Sequence, residues 1–282
     1  MMRALIVLVL GLSLIPGLVR AQSATSTAVD LPEAVRQQLR TRIEAQRRGL
    51  DALTAAGASV SAADSVLQFY EQRQFAPAWT DRTGPTAAFD SLLAALRRAD
   101  RDGLHPGDYH VDALTTLRQE RQHQRWSPRR LADLELLSTD AFLLYGSHLL
   151  TGRVSPTTLS SAWNVAPRQA DLKHLLTEAV QTGTVTEALR GLRPPQPEYT
   201  RLRNALQRYR RLAAAGGWPT VPAGPTLQMG DEGVPIDSLR RRLRVTGDLS
   251  GKRAAAPDTF DRALHEAVVR FQNRHGLAPN GA

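Results

Sequence analysis

Between about residues 30 and 215 the apolar positions recur with helical spacing, and no convincing run of strict alternation marks a strand. Phe89, Leu92, Leu93 and Leu96 fall at i, i+3, i+4 and i+7 and therefore share one face. Leu134, Leu137, Ala141, Leu144, Tyr145 and His148 repeat the pattern, in a segment that Ser127-Pro128 opens as N-cap and first helical residue. Tyr199, Leu202, Leu206 and Tyr209 form a third stripe. Further helices are expected over 32–49, 61–74, 111–120, 169–182 and 197–213, and the fold class this implies is all-α.

Two interruptions divide the pattern. Pro194-Pro195-Gln196-Pro197 stops a helix, because proline lacks the amide donor and pushes its predecessor out of the helical region. Residues 216–226, with two glycines at the start and prolines at 219, 222 and 225, read as a linker. The tail over 227–282 has its own grammar. Gly230 and Gly233 mark a turn, Ile236, Leu239 and Leu243 a short helical face, and Gly247-Asp248-Leu249 a second turn. Phe260, Leu264, Ala267, Val268 and Phe271 form another face, which Gly276 closes as a glycine cap. Two short amphipathic helices cannot cover each other's stripes completely, so Val268 and Phe271 are expected to lack part of their cover.

At the other end, Arg3 precedes sixteen uncharged residues, 4–19, interrupted by Pro16 and Gly17, and Val19-Arg20-Ala21 offers the small residues a signal peptidase reads. The run is shorter than the roughly 20 residues of a membrane span. Residues 1–21 are expected to be a signal peptide cut before Gln22, giving an exported, periplasmic chain with no stable membrane span after cleavage. The Ser/Thr/Ala-rich residues 22–30 are expected to be disordered.

Composition narrows the chemistry. The 282 residues contain no cysteine, which excludes a disulfide framework, a Cys-based zinc site and any thiolate nucleophile. The net charge is +9, and arginine supplies nearly all of the positive charge, the lysines being Lys173 and Lys252. That bias reads as a GC-rich coding sequence. Arg201, Arg203, Arg208, Arg210 and Arg211 crowd one segment and Arg240, Arg241, Arg242 and Arg244 another. Both read as solvated faces opposite an apolar stripe, with attraction to an anionic polymer as the functional alternative. Export and the lack of a recognition motif argue against nucleic acid as a partner.

Several motifs carry a resemblance. The tail is similar to the three-helix peptidoglycan-binding module of bacterial cell-wall enzymes, on Leu227-x-x-Gly230-x-x-Gly233, Leu239 and Leu243, Gly247-Asp248, Ala267-Val268-x-x-Phe271-Gln272, and His275-Gly276-Leu277 with Asn280-Gly281. The preceding region resembles the scaffold domain of the large murein L,D-transpeptidases. Here the residues are Phe69-Tyr70 with Phe75-Ala76-Pro77-Ala78-Trp79, Asp102-Gly103-Leu104-His105-Pro106-x-Asp108-Tyr109, and Leu149-x-x-Gly152-Arg153-Val154-x-Pro156. The run from Tyr199-x-x-Leu202 through Gly217-Trp218-Pro219 into the tail follows that family's order. The resemblance covers about residues 60–282. It implies an all-α helical scaffold domain over 31–215, a linker over 216–226 and a truncated, incomplete three-helix module over 227–282.

In that family a catalytic domain with a Cys nucleophile and a His follows the module, and neither residue can be carried onto this chain. The resemblance therefore implies a non-catalytic front part that binds peptidoglycan and supports wall cross-linking, with no cofactor or metal and with other cell-wall synthesis proteins as further partners. A scaffold acting through a partner protein and an active cell-wall enzyme, transpeptidase or hydrolase, are the alternatives. Arg270, Asn273 and Arg274 project away from the Val268 and Phe271 face and are the candidate contacts to glycan and stem peptide.

Other chemistries find less support. His105 and His110, near Asp102 and Asp108, lie five apart in a Gly/Pro loop, which does not set two metal ligands on one helical face, so a structural turn is expected. Glu120, Glu135 and Asp140 have no spacing that singles out an acid and a base. Neither a Gly-x-Ser-x-Gly elbow nor a Gly-rich phosphate loop occurs.

Overall fold

The computed structural model describes residues 30–50, 52–120, 126–159, 165–251 and 256–282. The expected signal peptide and nearly all of the expected disordered stretch lie outside the described residues.

The described chain is mostly helical, in the order α1 (Leu31–Arg47), α2 (Ala63–Gln72), α3 (Ala87–Leu96), α4 (Val111–Gln119), α5 (Pro128–Thr151), α6 (Pro156–Leu159), α7 (Leu172–Thr182), α8 (Val185–Gly191), α9 (Pro197–Ala214), α10 (Val234–Thr246) and α11 (Arg262–Arg274). Helical spacing decides what each surrounding helix buries: Val35, Leu39 and Ile43 from α1, Phe89, Leu92, Leu93 and Leu96 from α3, Leu114 and Leu117 from α4. The Thr86 hydroxyl caps α3 by accepting from the Phe89 amide, and the Asp171 carboxylate caps α7 by accepting from the Lys173 and His174 amides. Ser127 occupies the N-cap position of α5 as expected, yet its hydroxyl makes no capping bond.

These helices enclose α5. The sequence pattern assigned it one apolar stripe, whereas every residue from Leu131 to Leu143 is buried. Its supposed outer face, Asp133, Glu135, Ser138, Thr139 and Asp140, is inside the bundle as well, because α1, α2 and the two hairpins below cover the side that spacing alone leaves open.

Two antiparallel hairpins escaped the sequence reading, since each strand has only two residues. β1 (Thr54–Ala55) pairs with β2 (Ala58–Ser59) across Ala56-Gly57, both at positive φ, the twist a two-residue hairpin turn requires. β3 (Thr80–Asp81) pairs with β4 (Gly84–Pro85), and Pro85 takes the non-hydrogen-bonded place opposite Thr80, where its missing amide costs no ladder bond. Gly84, at φ +120°, lies against the Trp126 indole, so a Cβ there would overlap the ring. α8 was likewise too short to read, and it closes the bundle with Val185 and Leu189.

The apolar core separates into two clusters. One runs from Val35 to Leu192, and the other joins Ile236, Leu243, Leu249, Phe260, Leu264, Ala267 and Val268. α9, between them, has no fully buried residue. The stripe read from its sequence is largely open, with Leu202 71% exposed. Helical spacing reports that a face is apolar, and here the described neighbours cover it only in part: Tyr199 and Leu206 are half-buried, while Leu202 is exposed.

Candidate functional site

The expected contact residues all lie on α11. Its stripe packs on α10, the Asp261 carboxylate caps it by accepting from the Leu264 amide, and Gly247, at φ +83°, ends α10 so that the chain can turn back. That turn is where Arg270 and Arg274 meet. Arg274 donates from Nε to Asp248 Oδ1 at 3.0 Å and from Nη2 to Oδ2 at 2.6 Å, and Arg270 Nε donates to the Asp248 carbonyl at 2.9 Å. The Thr246 hydroxyl donates to the same carboxylate. Burial alone would raise the Asp248 pKa, but Arg274 and Thr246 outweigh it and hold the carboxyl below its ordinary value. Two of the three candidates therefore have a folding role. Asn273 is exposed beside them, with no side-chain partner among the described residues.

Sequence reasoning placed Arg240 on a solvated face, and the structure corrects that. Arg240 is only 2% exposed, donates to the Pro257 and Thr259 carbonyls and pairs with Asp261, so it fastens the loop before α11. Arg242 lies over the Trp218 ring at 4.4 Å, and Trp218 meets Tyr209 of α9 edge to face with centroids 6.0 Å apart. Arg274 Nη1 donates to the Tyr209 hydroxyl at 3.4 Å. The partners in this junction between α9 and the tail stand 9, 24 and 65 positions apart in sequence, and the Gly217-Trp218-Pro219 signature was the sequence signal for it. Between α10 and α11 an apolar cleft of about 580 Å³ is lined by Leu239, Val268 and Phe271 among others. Val268 is buried and Phe271 half-buried, so the expected loss of cover falls on Phe271.

In the helical bundle the acidic and histidine candidates are engaged in separate structural pairs, of which His110 with Asp140 is the one that joins two of them. Asp102 accepts from Arg193, Arg203, Tyr145 and Tyr199, a node that fastens the start of α9 to the bundle. Burial, reinforced by the Asp102 charge, pushes the Tyr199 hydroxyl up to about 12. Asp108 pairs with Arg153 at 2.7 Å, and His110 Nε2 lies 2.7 Å from Asp140, whose other oxygen accepts from the Ala62 amide. His148 meets the Tyr109 hydroxyl through Nδ1, and burial together with the Arg153 charge lowers its pKa. Glu120 pairs with Arg130.

Glu135 is fully buried. Its Oε1 accepts from the Trp79 amide (2.9 Å) and the Thr80 hydroxyl (2.7 Å), and its Oε2 from the Ala78 amide and the Tyr70 hydroxyl (both 2.8 Å). Thr139 completes the set, accepting from the Trp79 indole and donating to Tyr70. Burial pushes the Glu135 carboxyl up while these donors pull it down. Every lone pair is spent on the fold, and no second carboxylate faces it, so no acid and base pair forms from Glu120, Glu135 and Asp140. Among the described residues no group of three or more His, Cys, Asp or Glu side chains is placed to hold a metal ion, and no helix is long and apolar enough to cross a membrane.

A family model described as a scaffold domain matches residues 64–206, from the start of α2 into α9. The comparison with curated proteins finds no match for the chain.

Proposed function

The chain belongs to the scaffold-domain family, and from that premise we propose that it is the non-catalytic front part of a murein L,D-transpeptidase, exported to the periplasm, where it binds peptidoglycan and supports cell-wall cross-linking. Its helical bundle has a scaffold role. The absence of cysteine from the 282 residues leaves no atom for the thiolate chemistry of that enzyme class.

The observation that carries the wall-binding part is the small second core after the bundle, with Arg270 and Arg274 locking the Gly247-Asp248 turn and Asn273 left open to solvent beside them. In this reading the two arginines shape the face of α11 and Asn273, with the donors that Arg270 keeps free, touches glycan or stem peptide. The test is retention of the full chain on purified, protein-free sacculi at physiological salt. Retention above a control protein, reduced several-fold by Asn273→Ala, supports the reading, and no retention refutes it. A scaffold acting through a partner protein is favoured instead by the open Leu202 and Tyr209 of α9. Failure on bare sacculi with retention restored by wall-synthesis proteins would select that alternative.

A further inference from the structure

A cleft of about 1040 Å³ opens between α1, the β1–β2 hairpin and the first turns of α5. Among the described residues three guanidiniums, Arg42, Arg129 and Arg130, line it with one carboxylate, Asp133. That carboxylate is already neutralised: Arg42 Nη1 lies 2.6 Å from one oxygen and Arg130 Nη1 3.4 Å from the other, and Asp133 is buried beneath them. Arg129 is different. It is exposed and makes no side-chain hydrogen bond or ion pair among the described residues, so a full positive charge lines a cleft whose carboxylate among the described residues, Asp133, is already paired.

The opposite wall supplies backbone. The Val60 amide donates to the Leu53 carbonyl at 3.0 Å, which makes 53 and 60 a hydrogen-bonded pair of the ladder. Because antiparallel pairs alternate, Ala55 and Ala58 form the next one, and Thr54, opposite Ser59, turns its own N–H and C=O away from β2. Thr54 lines the cleft, so β1 presents an open strand edge there. An open edge pairs with an extended chain, and guanidiniums select carboxylates. We infer that this cleft is a binding site for an extended peptide segment bearing carboxylates, paired to the edge of β1 through its backbone and to Arg129 through a side-chain or terminal carboxylate. The inference stands apart from wall binding through α11, since it uses no residue of the tail.

The test uses the full chain and fluorescein-labelled tetraglutamate, followed by fluorescence anisotropy, with tetraglutamine and backbone N-methylated tetraglutamate as comparisons. Saturable binding of tetraglutamate is expected, weakening with salt, with tetraglutamine at least about tenfold weaker. Arg129→Glu is expected to weaken binding by at least the same factor, and Arg129→Gln by less, with unchanged circular dichroism because Arg129 holds nothing in the fold. N-methylation is expected to cost a similar factor, and the Thr54 amide resonance to shift on titration. No saturable binding, binding undiminished in Arg129→Glu, or equal binding of the N-methylated peptide would each overturn the proposal. The last would reduce the cleft to a basic patch without strand pairing. Loss of sacculus retention leaves all of these readouts untouched.

Discussion

Removing the Glu135 carboxylate is the sharpest test of how the bundle is held. In Glu135→Ala the Ala78 amide, the Trp79 amide and the Thr80 hydroxyl lose the only partner each has, while the Tyr70 hydroxyl keeps Thr139. A buried donor left unsatisfied costs about 1–3 kcal/mol, so three cost about 3–9 kcal/mol together. Part of this is returned because a buried charge no longer has to be kept from water, and the vacated volume adds a cavity cost in the other direction. Against the roughly 5–15 kcal/mol that holds a typical domain folded, the loss is large enough to move the urea midpoint far toward zero. Glu135→Gln keeps the volume and one acceptor oxygen but turns an amide N–H₂ toward two donors, so it should lie between the parent and the alanine variant. Glu120→Ala, which breaks a half-exposed pair with Arg130, is the control that should hardly shift the midpoint. Urea melts followed by far-ultraviolet circular dichroism give the order. If Glu135→Ala melts within about 1 kcal/mol of the parent, the carboxylate does not organise the Ala78 to Thr80 segment, and the reasoning from unsatisfied donors fails.

Two further outcomes follow from other nodes. Asp102→Ala should release Arg193, Arg203 and Tyr199 together and raise amide exchange in α9 at least about tenfold while leaving α5 protected; unchanged protection in α9 would show that another contact holds it. The folded Asp248 carboxyl titrates below its unfolded value of about 3.9, so its contribution to the tail is complete above about pH 4 and is lost as pH falls through the depressed folded value. Urea melts of the full chain read by Trp218 fluorescence should be level from pH 7 to about pH 4 and decline below it, with the decline blunted in Arg274→Met. A tail that gains stability on acidification would refute the sign.

The helices were legible because their stripes are local. The four buried residues of α3 and the Gly276 end of α11 could be read from spacing and a glycine. Asp102, Glu135 and Asp140 were visible as acids near helices, but not as structural nodes, since their partners come from 30 to 101 residues away in sequence or are backbone amides that carry no residue signature. Arg240 failed for the same reason. Spacing put it outside the apolar stripe, and the carbonyls that bury it belong to a loop seventeen and nineteen residues on. Of the three candidate contacts, sequence could say that Arg270, Asn273 and Arg274 avoid the apolar face, and only Asp248 could separate the two arginines from Asn273.

By itself, then, the sequence determined the helical class and the absence of a cysteine from these 282 residues, which depend on residue type and short-range period. The tertiary structure decided which polar groups are inside, that the middle of α5 is buried all round while much of the α9 stripe stays exposed, and that a strand edge and three arginines from two helices face one cleft. Those outcomes depend on which distant segments meet, and burial is a property of that meeting rather than of any local pattern.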